Sequence, residues 1–153
     1  FDCYSFIFEP LPKHYLYLKK KYLDNPKVKV FNYGLLDSNS TENLTDELES
    51  SRITSDKTSL SIEVRDIVEV IHELGIERIG LMKLNIEGAE YRLLDRIISS
   101  GLVTKIDAFQ IQYHKEGIKN PEQERLRINS YLSKTHKNIW TYYFVWERWD
   151  RKF

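Results

Sequence analysis

The hydrophobic positions of this chain fall into short runs, alternations and helical stripes that follow one another in a regular order. Residues 3–8 form a nearly continuous apolar run closed by Glu9-Pro10, which predicts a strand buried on both faces, as in a parallel sheet covered by helices. Pro12 can open a helix at its first turn, with Tyr15, Leu18 and Tyr22 on one face and Lys13, Lys19, Lys20 and Lys21 in solvent. Asp24-Asn25-Pro26 stops it. Residues 28–36 alternate and read as a second strand. Val64, Ile67, Val68, Ile71 and Leu74 make a helical stripe closed by Gly75. A strand over 79–86, a helix over 88–99, a strand over 106–113 and a helix from the cap pair Asn120-Pro121 to about Thr135 follow. Residues 139–149 are aromatic on both alternating sides, with Trp140, Tyr142, Phe144 and Trp146 on one and Tyr143, Val145 and Trp149 on the other. That density reads as core between helices ahead of a sugar-stacking surface.

Strands alternating with helices imply right-handed βαβ units and an open, mostly parallel α/β sheet with helices on both faces. One stretch departs from this order. Residues 38–59 hold ten Ser or Thr in 22 positions and read as a long excursion with room for a hairpin, not as a linker between domains. Residues 1–153 are therefore expected to be one domain.

Composition narrows the class. With 23 basic and 23 acidic side chains the formal net charge is zero, which argues against a general nucleic-acid binder. One cysteine, Cys3, excludes an internal disulfide and a zinc site of thiolates, and no His or Cys pair has metal-ligand spacing. No apolar run approaches the roughly 20 residues that span a bilayer, so no membrane partner is expected and the location expected is cytoplasmic. The six glycines form no G-x-G pair and no P-loop, and there is no G-x-S-x-G elbow.

In open α/β sheets ligands bind beyond the carboxyl ends of the strands, so the informative residues follow each strand. Glu9 after the first strand suits the two ribose hydroxyls of a nucleotide cofactor, and equally suits a solvated strand–helix turn. After the third strand, alternation puts Lys83, Asn85 and Glu87 on one face, and Gly88 permits a tight turn. These residues could line a reaction site or form a capping turn with an internal Lys83–Glu87 pair. His114, with Gln110 and Gln112 on its face of the fourth strand, is a candidate general base or a hydrogen-bonded structural histidine.

Taken as strings, these residues resemble FkbM-type S-adenosylmethionine-dependent methyltransferases. Phe8-Glu9-Pro10-Leu11-Pro12 with Tyr15 and Leu18 is similar to that family's second-strand motif. Leu81-Met82-Lys83-Leu84-Asn85-Ile86-Glu87-Gly88-Ala89-Glu90-Tyr91 resembles its most specific signature, and Gln110-Ile111-Gln112-Tyr113-His114 with Trp146-Glu147-Arg148-Trp149 is similar to a subgroup. The resemblance implies a class I, Rossmann-like methyltransferase sheet whose last strand is antiparallel, with S-adenosyl-L-methionine as cofactor and a hydroxyl of a sugar, glycan or other small metabolite as acceptor. It places Glu9 and Pro10 at the cofactor ribose, Leu36 and Asp37 beside the adenine, and Asn85 against cofactor or substrate. Lys83, Asn85, Glu87 and His114 would line the transfer site, with His114 as first candidate for the base and Glu87 as second candidate or orienting partner. Many members carry Asp where this chain has Asn85, which cannot take a proton.

The family begins with a strand and glycine-rich turn that have no counterpart here, and that strand lies between the one ending at Glu9 and the one ending at Glu87. The expectation is that the flanking strands close up, that a second copy fills the place in a homo-oligomer, or that the chain is a fragment, the last being preferred and implying little or no cofactor binding in isolation. Two rivals stand beside the methyltransferase reading. One is a degenerate methyltransferase fold serving as a non-catalytic binding module; the other is an NAD-dependent oxidoreductase, resting on Glu9 alone.

Overall fold

A computed structural model describes residues 2–44, 53–54 and 60–152. Its strands form three separate sheets. β1 (Ser5–Phe8) pairs in parallel with β2 (Val28–Phe31), and α1 (Pro12–Lys21) connects them. β3 (Gly34–Leu36) pairs in parallel with β6 (Leu60–Asp66), which also pairs antiparallel with β4 (Ser40–Leu44); β5 (Ile53–Thr54) completes this sheet as β4's hairpin partner. The third sheet has the order β7-β8-β10-β9, from β7 (Met82–Leu84), β8 (Ala108–Ile111), β10 (Trp146–Arg151) and β9 (His136–Tyr142). Its β7–β8 pair is parallel, and β10 runs antiparallel to both its neighbours.

This is an α/β fold, but the expectation of a mostly parallel sheet needs correction. Among the described residues three strand pairings are parallel and four antiparallel. The antiparallel pairings lie in the serine- and threonine-rich excursion and around β10, which the aromatic hairpin turns back between β9 and β8. The predicted hairpin does lie in the excursion, as β4 with β5; residues 45–52 and 55–59 fall outside the described residues.

β1 is not buried on both faces, contrary to the sequence expectation. Its residues are exposed to half-buried, and none of them belongs to the buried core. No hydrogen-bonded pairing joins β1 to β7, so the flanking strands do not close up. Phe8 stacks on Phe31 at 5.1 Å between ring centroids, and both rings meet Tyr33.

The strand predicted over 28–36 divides at Asn32-Tyr33, β2 and β3 serving different sheets. The stripe beginning at Val64 also divides. Ile62, Val64 and Asp66 alternate inward as the end of β6, and α2 (Ile67–Glu73) starts only where the Asp66 carboxylate accepts from the Val68 and Glu69 amides at 2.8 and 3.1 Å. Asp66 is an N-cap, worth about 1 kcal/mol.

α3 (Glu90–Ser99) and α4 (Pro121–Leu132) pack on one face of the third sheet. Leu93, Leu94, Ile97, Ile128 and Leu132 meet Leu84, Phe109, Ile111 and Trp149 in the main core. Pro121 opens α4 as expected, but Asn120 takes φ 54° and makes no side-chain cap. A buried polar cluster crosses this core: Glu147, 1% exposed, accepts from Arg125, from Asn129 Nδ2 at 3.0 Å and from Trp149 Nε1 at 3.0 Å. No helix among the described residues is long and apolar enough to cross a membrane.

Candidate functional site

β7 ends at Leu84, and the chain reverses before α3 in a turn closed by the Ala89 amide donating to the Ile86 carbonyl at 3.2 Å. Both central residues have positive φ, 52° at Glu87 and 102° at Gly88. Glycine adopts this region freely, whereas a glutamate held there costs of order 1 kcal/mol. The Glu90 carboxylate holds the strained turn in place. It is wholly buried and accepts from the Ile86 amide at 2.8 Å and the Gly88 amide at 2.9 Å.

β8 brings His114 to the same place. Its Nδ1 lies 2.8 Å from Glu90 Oε1, and its Nε2 lies 3.3 Å from Glu87 Oε2. Its backbone carbonyl accepts from the Tyr91 hydroxyl at 2.9 Å. Because Glu90 is acceptor to two backbone amides already, Nδ1 donates to it, and Nε2 reaches Glu87 as a donor when the ring is protonated. The hydrogen bond to Glu90 raises the His114 pKa above the ordinary histidine value; burial opposes the shift, and the charges of Glu90, Glu87 and Glu116 add to it. The imidazole is partly accessible, with 12% of its side chain exposed. It is a strengthened base, oriented by Glu90 at Nδ1 and with Glu87 beside Nε2.

Replacing Glu90 by glutamine tests this. The amide nitrogen of the variant must face one of three N–H donors, so the pKa of His114 is expected to fall, as read from an NMR pH titration of its imidazole. An unchanged midpoint would show that Glu90 does not set it.

The other residues singled out from the sequence are placed as follows. Lys83 does not pair with Glu87; its Nζ lies 4.8 Å from the Trp146 ring centroid. Asn85 is exposed at the end of β7. Glu9 turns one oxygen back on its own chain, accepting from the Leu11 amide at 2.9 Å, and its other oxygen has no partner among the described residues. Pro10 packs beside Gly34. Leu36 is 1% exposed in the core of the small sheet, so its side chain presents no surface to an adenine. Asp37 is held by Arg92 at 2.7 Å, which lowers its pKa. It lines a cleft of about 570 Å³ with Arg92, Arg96, Arg127 and Tyr131. The arginines of that cleft are each engaged by carboxylates, Arg96 by Asp66 and Arg127 by Asp95 and Glu124, all at 2.8 Å. His114, Glu87 and Lys83 are not among its walls. The structure thus brings together Glu87, His114 and Glu90, while no hydrogen bond or ion pair joins Glu9 or Asp37 to that cluster.

Sequence reasoning did not single out Glu90 as a site residue. The signal for its larger role lies in the spacing. A carboxylate three residues after a strained turn residue can reach back to that turn's amides, as in a capping box. No group of His, Cys, Asp and Glu among the described residues could hold a metal ion.

For S-adenosylmethionine, the residues present fit in part. The unpartnered oxygen of Glu9, at the end of β1, has the acceptor chemistry a ribose diol requires. Among the described residues nothing forms a glycine-rich cradle for the amino-acid half.

No protein-family model matches the sequence, and no curated protein matches it. Among solved structures, the chain shares its fold with the methyltransferase FkbM from Methylobacillus flagellatus KT, with a TM-score of 0.62 and 14% sequence identity over 96% of this chain. The chain spans about a third of that protein, 36% of its length. The likeness to the FkbM fold that the motifs implied is thus observed, while the Rossmann-like, mostly parallel sheet is met only in part.

Proposed function

We propose that this chain is part of an S-adenosylmethionine-dependent methyltransferase that acts on a hydroxyl oxygen of a sugar or other small metabolite. The observation that carries the reading is the Glu90–His114–Glu87 arrangement at the carboxyl ends of β7 and β8, on a fold shared with a methyltransferase. The bound cofactor would supply an electrophilic methyl carbon on a sulfonium.

The chain's own residues supply the remainder. An acceptor hydroxyl that donates to His114 Nε2 is oriented by it, with Glu87 beside the same nitrogen. His114 Nε2 would take the proton of that hydroxyl as its oxygen accepts the methyl group that the bound cofactor would supply. Glu90 then stabilises the imidazolium that results, as a buried carboxylate does for any histidine base. Glu9 would hold the ribose. Asn85, exposed just after β7, would be a hydrogen-bonding group that takes no proton.

Asn85 also favours a second reading, a binding module on the same fold without turnover. Calorimetric titration of the full gene product with S-adenosylmethionine tests the proposal. Saturable binding at one site is expected, weakened about tenfold or more in Glu9→Ala through loss of hydrogen bonds to a charged acceptor. Absence of binding would overturn it; binding without methyl transfer to any hydroxylated acceptor would favour the module.

A further inference from the structure

The face of the third sheet opposite α3 and α4 has a composition that the chemistry at His114 does not explain. The register places Lys83, Gln110, Arg148 and Trp140 side by side in one row across β7, β8, β10 and β9. Residues two positions along share that face, which adds Gln112 and the cross-strand pair Trp146–Tyr142 toward the His114 end. The two tryptophans are half-buried, Tyr142 is 66% exposed, and Lys83 is exposed with no ion pair among the described residues. Trp140 and Tyr142 lie 5.5 Å apart between ring centroids. Neither Gln110 nor Gln112 uses its side-chain amide in a hydrogen bond among the described residues. The buried face of the same strands is by contrast conventional core, with Leu84, Phe109, Ile111 and Trp149.

Flat aromatic faces, free amides and one unpaired ammonium in a continuous strip form a particular recognition chemistry. The rings stack on the C–H face of a pyranose, the amides bond its hydroxyls in both senses, and the lysine pairs with a negative group. We propose that this strip is the acceptor subsite of the enzyme and that it takes a pyranose bearing one anionic substituent, a carboxylate or a phosphate ester. Lys83 reads that charge while Trp146 and Tyr142 hold the ring, and a ring hydroxyl is directed toward His114 Nε2. The inference rests on the methyltransferase reading for its use but not for its binding.

Tryptophan indole N–H signals in NMR spectra of the full gene product provide the test, because the three tryptophans differ in place. Trp149 is buried and donates to Glu147, so it serves as an internal control. Methyl β-glucuronide, glucose 6-phosphate and the neutral methyl β-glucoside are the probes. The acidic sugars are expected to shift the Trp146 and Trp140 signals but not Trp149, with about fivefold to tenfold higher affinity than the neutral glycoside. Preference for one acid over the other identifies the anionic group. Lys83→Met, at an exposed position, is expected to abolish the preference, and Tyr142→Ala to weaken all three probes. Equal affinity of acidic and neutral sugars, or no shift at Trp146, would overturn the inference. Calorimetry with S-adenosylmethionine on the same samples separates the two claims. Sugar binding without cofactor binding would overturn the methyltransferase reading alone, and the reverse would overturn the subsite alone.

Discussion

Replacing His114 by alanine is expected to slow methyl transfer about 100- to 10,000-fold, the usual range for a positioned general base. The loss should fall on kcat, since the proton is accepted only as the new bond forms, and leave the affinity for S-adenosylmethionine largely unchanged. Quantifying S-adenosylhomocysteine at saturating cofactor and acceptor gives the comparison; a variant within tenfold of the parent would remove His114 from the base role. The pH dependence follows from the same contacts. The base acts when unprotonated, and its pKa is raised, chiefly by the hydrogen bond to Glu90. The rate should therefore rise through a limb above the ordinary histidine value of about 6.5. Stability runs in the opposite sense. A group whose pKa is higher folded than unfolded contributes stability that is full below about 6.5 and is lost as pH rises through the folded value.

Truncating Glu147 to alanine is expected to cost about 3–5 kcal/mol of folding stability, a large part of what holds a domain together. The side chain is 1% exposed and Arg125 is 7% exposed, so its removal leaves a guanidinium in the core without its carboxylate. Asn129 and Trp149 lose their acceptor too, and Tyr113, which donates to Asn129 Oδ1 at 3.0 Å, loses the orientation of its partner. The cluster ties α4 to β10 and, through Tyr113, to the chain just before His114. Urea denaturation measures the loss. The Arg125→Met/Glu147→Leu double variant should recover much of it, because the charge and its partner then leave together. A single-variant loss below about 1 kcal/mol would show that water or rearrangement satisfies Arg125.

Periodicity located the helices of the carboxyl-terminal half because their apolar stripes are long; α3 and α4 lie where Leu93, Leu94, Ile97 and the Asn120-Pro121 pair put them. It failed where two elements abut without a break. Val64 satisfies a strand alternation and a helical stripe at once, and only the capping geometry of Asp66 decides between them. It failed again at residues 143–145, where the chain turns between β9 and β10 with Phe144 at φ 51°, a conformation that glycine or asparagine would have signalled. Reading 139–149 as one aromatic stretch also concealed that Trp140, Tyr142 and Trp146 face away from the helices. Of the site, His114 and Glu87 were legible as polar groups at strand ends. Glu90 was not, because its burial and its bond to a histidine 24 positions on are tertiary facts. Leu36 shows the converse, a strand-end residue whose side chain the small sheet draws into its own core.

One comparison bears most directly on whether His114 stands at the transferring methyl. The pKa of its imidazole is measured by NMR in the full gene product saturated with S-adenosylmethionine and, separately, with S-adenosylhomocysteine. The two ligands differ by a methyl group and a positive charge on sulfur, and a nearby cation disfavours the imidazolium. A lower pKa with S-adenosylmethionine than with S-adenosylhomocysteine is the expected result. The same pKa in both complexes would place the sulfonium away from His114 and contradict its assignment as the base.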